Sequence, residues 1–224
     1  MFSAYEIRAR LVPALLCSVP FLAFGYFFLA NIDSHFTRLV FAQVVGGVGM
    51  MTAAFLFLAF IGRHAGTWLQ DILFEEGDCF PTTLLLLDSD ATFSDERKQQ
   101  IRRKVKDEFA IDLSNRTSDA PQSRQRIGEA VSHIRKKFFG KPGLALQRNI
   151  EFGIAKNSAG GSMIAAVISL IVTLISYATG TANLLCLGLF MTAAYLLGFV
   201  FGVVAMKTNA KRYATALFEE YLAN

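Results

Sequence analysis

Charge is what this sequence withholds. Residues 11–32, 39–62 and 157–206 contain no Asp, Glu, Lys, Arg or His. A water-soluble domain interrupts its apolar runs far more often, so an ordinary soluble globule is a poor expectation. Cysteine is also scarce. Cys17, Cys79 and Cys186 show no paired spacing, which excludes a disulfide framework and a cysteine-based zinc site. The three histidines, His35, His64 and His133, are too scattered to form a metal set. No glycine-rich phosphate loop follows a strand, and no nucleophile elbow is present. The expectation is a protein without catalytic residues, metal or cofactor.

The charge-free runs are long enough to cross a bilayer, which takes about 20 apolar residues per helix. The first run (22 residues) and the second (24 residues) each suffice once, and the third (50 residues) suffices twice if it folds back near Gly180–Asn183. Four spans are expected, at about 11–30, 39–61, 162–180 and 183–206. The first follows Arg8 and Arg10, but it is longer than a signal-peptide core and lacks a clear small-residue cleavage site. Pro20 should kink it.

The expected fold is a mainly α membrane protein of two plus two spans. Its parts are an N-terminal hairpin at 1–62, a small, mostly helical cytosolic domain at 63–160, a C-terminal hairpin at 161–206, and a cytosolic tail helix at 207–224. Sixteen of the 22 Lys and Arg residues lie between Arg63 and Lys156, and both tails are basic. The short loop after the first span carries only Arg38, and the turn near Gly180 carries none. Cationic segments stay inside, so both termini and the central domain are expected on the cytoplasmic side of the membrane.

The spans lack the titratable mid-membrane group that proton-coupled carriers need. Small residues recur instead at spacing four: Ala42 with Gly46 and Gly49 with Ala53 in the second span, and Ala194, Gly198 and Gly202 in the fourth. Such faces let helix backbones approach closely, either within one chain or between copies in a homo-oligomer, expected as a tetramer.

Between the hairpins the charge is divided. Residues 64–96 hold eight acids and no Lys or Arg, whereas 97–148 hold fourteen Lys and Arg against five acids. This points to an internal acidic–basic interface or to a basic surface offered to an anion. Thr82–Leu87 reads as a short buried strand or extended segment. Ser94-Asp95 starts a helix with a stripe at Ile101, Val105 and Phe109, and Pro121 precedes another with Ile127, Val131, Ile134 and Phe138. Leu84–Thr92 imitates the strand-plus-DxDxT signature of haloacid dehalogenase-type phosphatases, but the further strands, lysine and acidic pair of that fold are missing.

The candidate anion ligands are Arg102, Arg103 and Lys106 on the first helix. On and after the second they are Arg124, Arg126, Arg135, Lys136, Lys137 and Lys141, with Arg148 and Asn149 ahead of the third span. They could neutralise the phosphates of a nucleotide or short nucleic acid, with Phe138 and Phe139 available to stack bases. The plainer alternative is a solvated face resting against anionic lipid.

Phe80-Pro-Thr-Thr, Leu87, Asp90, Ser94 and Lys98, then Glu129-Ala130-Val131 and Ile134-Arg135, and finally Arg148-Asn149-Ile150-Glu151-Phe152-Gly153 with Asn157, form an arrangement that resembles small bacterial membrane proteins, among them the membrane effectors of Hailong-type anti-phage systems. The likeness covers roughly residues 60–165. It implies a homo-oligomeric channel held in check by an oligodeoxyadenylate made by a cognate nucleotidyltransferase, and opened during infection to depolarise the cell. A non-conducting membrane anchor or scaffold that recruits a soluble partner through its charged faces is the rival expectation. A passive small-solute carrier is a third.

Overall fold

A computed structural model describes residues 12–30, 55–75, 80–113 and 120–224. The N-terminal basic residues, most of the second expected span with Gly46, Gly49 and Ala53, the loop bearing His35 and Arg38, and Cys79 lie outside the described residues. Those that are described form helices and turns, with no strand. In chain order the helices are α1 (Val12–Ala30), α2 (residues 55–73), α3 (Pro81–Leu84), α4 (Asp95–Phe109), α5 (Pro121–Phe138), α6 (Leu144–Ala178) and α7 (Ala182–Ala223). Among the described residues, α6 and α7 are the two helices long and apolar enough to cross a membrane.

The chain divides into two compact units, one of Met1–Leu69 with Gly153–Val204, the other of Gln70–Phe152 with Ala205–Asn224. In the first unit small side chains do the packing. Ala155, Ala159, Ser162, Ala166, Ser169, Thr173 and Ser176 are all buried on one face of α6, at steps alternating between four and three residues. That 3.5-residue period is the seam of a left-handed helix pair. Its partner is α7. A methyl group at Gly202 would stand 2.8 Å from Ala159 Cα, one at Gly198 3.1 Å from Ser162 Oγ, and one at Gly188 would run into Thr173. The second face of α6 meets α2 and α1. Gly160 is pressed against the Gly62 carbonyl and the Gly66 amide, Gly161 against Cys17 Sγ, and Gly66 against the Lys156 carbonyl.

Hydroxyls in this unit bond back along their own helices. Ser18 donates to Leu15 O at 2.8 Å, Thr173 to Ser169 O at 2.7 Å, and Thr192 to Gly188 O at 2.8 Å. Tyr195 instead reaches across and donates to Leu16 O at 2.6 Å, joining α7 to α1.

The second unit packs the opposite way. Leu85, Leu86, Leu87, Ile101, Val105, Ile127, Ala130, Val131 and Ile134 are buried together with Ala210, Tyr213, Ala214, Leu217, Phe218 and Tyr221 of α7. The residues expected to form a separate tail helix, 207–224, are therefore the continuation of α7 and part of this core. Both expected stripes point inward, although their last members, Phe109 and Phe138, are only half-buried. Ser94 accepts from the Arg97 amide as N-cap of α4, and Ala110 closes that helix in the left-handed region at φ 57°.

Thr82–Leu87 corrects the strand expectation. Pro81 takes the first position of α3, and successive amides bond back: Leu84 to Phe80 O, Leu85 to Pro81 O and Leu87 to Leu84 O. The segment is helical turns, and proline suits its first position because it has no amide to satisfy there. The burial of the leucines was legible; their backbone geometry was not. Directly beneath them lies Lys98, 2% exposed, whose ammonium donates to Leu87 O at 2.7 Å and to Asp90 O. A buried cation persists because these carbonyls, which close the turn after α3, satisfy its ammonium, the Leu87 oxygen also accepting from the Asp90 amide at 3.3 Å.

Candidate functional site

The eleven residues expected to bind an anion all lie in the second unit, and most of them fall into two groups. In one, the charge is met by carboxylates of the same chain. Arg102 donates to Asp88 Oδ1 at 2.7 Å and to Leu86 O at 2.8 Å. Arg124 lies 3.9 Å from Glu75. These two contacts join the basic segment to the acidic one, so part of the charge division is an internal interface. Lys106 pairs with Asp112 at 2.7 Å, and that hydrogen bond raises its pKa. Arg148 pairs with Glu151 at 2.7 Å within α6, beside a half-buried Asn149.

The other group gathers where the C-terminal ends of α4 and α5 converge. Lys137 donates to both Glu108 oxygens, at 2.9 and 3.0 Å. It also lies 5.3 Å from the Tyr221 ring, and Lys104 lies 5.2 Å from the same ring. Phe109 stacks on Tyr221 at 6.2 Å and tilts against His133 at 5.3 Å. Lys137 and Lys141 lie 5.9 and 5.8 Å from Phe138. Arg135 donates to Tyr213 Oη at 3.1 Å and lies over its ring. Next to these, Phe139 is 90% exposed at the turn that ends α5, where Gly140 adopts φ 73°. Arg103, Arg126, Lys136 and Lys141 are exposed.

A row of cations interleaved with aromatic faces can take up phosphates and stack planar groups. The Tyr221 phenol is pushed up by burial, with Glu108 adding to the effect, so it stays protonated. Among the described residues no group of three His, Cys, Asp or Glu side chains could hold a metal.

The helix-packing residues are placed more plainly. Gly198 and Gly202 face α6 of their own chain, and Ala194 is exposed. Of the two uses open to that stripe, packing within one chain takes the two glycines. The tightest crossing, Gly62 and Gly66 against Gly160 and Gly161, was not singled out from the sequence. Its signal was a Gly-x-x-x-Gly spacing interrupted by Arg63 and His64, where the charge-free run ends. Tyr213 and Tyr221 were missed as well, because their partners Arg135, Lys104 and Lys137 are distant in sequence.

No protein-family model matches this chain, and no curated protein or solved structure is similar enough to it to count as a match.

Proposed function

We propose that this chain is a multi-pass protein of the bacterial inner membrane that assembles from identical copies into a pore and is controlled by a nucleotide or oligonucleotide held at its basic, cytoplasmic unit. The observation that carries the membrane part is the inverted packing of the first unit. Val167, Leu170, Ile171, Leu174 and Ile175 of α6, and Phe190, Leu197, Val200, Phe201 and Val204 of α7, are each about half exposed or more. Water would penalise that surface by roughly 25 cal/mol for each Å², whereas lipid tails accept it. The stretch 157–178 of α6 is about 33 Å long at 1.5 Å per residue, close to the hydrocarbon thickness. Four spans follow when the charge-free run at 39–62 and α1 are added.

The pore belongs between chains. The void lined by Pro13, Cys17, Gly62, Asn157 and Gly161 measures about 10 Å³, room for no more than about one water. The ligand reading rests on Lys136, Lys141 and Phe139, exposed together at the end of α5, and on the resemblance to Hailong-type effectors. The proposed topology keeps both termini in the cytoplasm.

One observation favours the anchor reading. Arg102, Lys106, Arg124, Lys137 and Arg148 already face carboxylates of this chain, so fewer cations remain for a ligand than the composition suggests. Ion flux from purified protein in liposomes decides between the two. Leakage that responds to added oligodeoxyadenylate, and that loses the response in Lys136→Glu/Lys141→Glu, supports the channel. Sealed liposomes containing correctly inserted protein leave the anchor.

A further inference from the structure

On one side of α2 the exposed side chains change in order: Phe57 and Phe60, then His64, then Trp68, then the acid Asp71, while Arg63 is exposed at the level of His64, about 100° round the helix. His64 donates through Nδ1 to the Phe60 carbonyl at 2.9 Å and tilts against the Phe60 ring at 4.0 Å, which holds the imidazole along the helix. The glycine crossing supplies a ruler. Gly62 stands against Gly161, and Gly66 against Lys156, the last charged residue before the run 157–206. Trp68, two residues beyond Gly66, thus lies about 3 Å past the level of Lys156. It is 57% exposed.

From this placement we infer that the face of α2 from Arg63 to Trp68 is a docking surface for the phospholipid headgroup layer at the charged end of the spans. The inference rests on the membrane reading above and adds its boundary. The headgroup zone is only about 5–8 Å deep on each side of the hydrocarbon. Arg63 and Lys156 lie at its inner edge, where their charge complements lipid phosphate. The Trp68 indole fills its depth with an apolar body and one N–H donor. Asp71, one turn further out, is repelled by anionic lipid and marks the aqueous side. At the other end of α6, Tyr177 is 76% exposed just before the turn at Gly180, as an aromatic at the opposite boundary would be.

Trp68 is the only tryptophan in the chain, so the native protein reports on itself. The full-length protein is reconstituted in vesicles of mixed zwitterionic and anionic phospholipid and first floated on a density gradient. Protein that does not float removes the membrane reading itself. In floated protein, the expected result is blue-shifted emission relative to the denatured chain, with a larger loss of intensity from lipids brominated near the headgroup end than from lipids brominated near the chain terminus. Three outcomes in floated protein overturn the inference alone: deeper quenching from the chain-terminal bromines, quenching only by aqueous iodide, or resistance to both, which would mean that a second copy covers Trp68.

Discussion

The two units of this molecule solve the packing problem in opposite directions. In the first, Gly, Ala, Ser and Thr lie at the helix contacts while Phe190, Phe201, Leu174 and Leu197 point out. In the second, Leu86, Ile101, Ile127, Ile134 and Phe218 point in while Lys and Glu side chains cover the outside. Large apolar groups go inward only where the surroundings reject them. Where they do not, helices are held by close backbone approach and dispersion instead. On the proposed membrane reading, one chain carries the marks of two solvents.

The comparison breaks most readily at the glycine crossing. Gly160→Leu sets a side chain against the Gly62 carbonyl and the Gly66 amide, backbone atoms that cannot yield as a rotamer would. The folded first unit should be lost, read as protease sensitivity or aggregation of the detergent-purified protein. Full-length protein of unchanged melting temperature would mean that the crossing is loose. In the second unit the corresponding injury is a cavity. Leu86 is fully buried, and Leu86→Ala should cost about 2–5 kcal/mol in denaturant or thermal unfolding.

A subtler test concerns Lys98, a cation buried in the core of the second unit. Lys98→Met keeps the stem and removes the ammonium, leaving the Leu87 and Asp90 carbonyls without that donor. A loss of about 1–3 kcal/mol is expected by the same measurement. Unchanged stability would mean that water replaces the donor.

The smallest effect is a pH dependence. Hydrogen bonds from its own backbone, and then from the Ser94 hydroxyl, hold the Glu96 carboxyl below its usual value of 4.5. A value depressed by folding lends stability above the unfolded pKa and loses it as pH falls through the folded one. Ser94→Ala should therefore shallow the acid limb of the stability curve, besides the loss of the α4 cap. An acid limb identical to wild type would remove Glu96 from the account.

Much of the helical frame was legible in the residues. Ser94 and Pro121 mark the starts of α4 and α5, and Gly180 marks the turn between α6 and α7, because capping and turn chemistry are local. The run of four leucines after Thr83 has no period, so its backbone could not be read, although its burial could. The site was half legible. The basic composition was evident, but not that Arg102 and Arg124 face Asp88 and Glu75, while Lys104 and Lys137 converge on Tyr221.

By itself the sequence determined where charge is absent, where helices begin and end, and which faces are apolar, since these depend on neighbours within a turn or two of chain. Only the tertiary structure decided which glycines touch, that residues 205–224 complete the core of the second unit, and which cations have a carboxylate of their own chain beside them. Those outcomes hang on distances of a few ångströms between residues as far apart as Arg97 and Glu219, 3.4 Å from each other. Coulomb and packing energies change steeply over that range, and no local pattern encodes it.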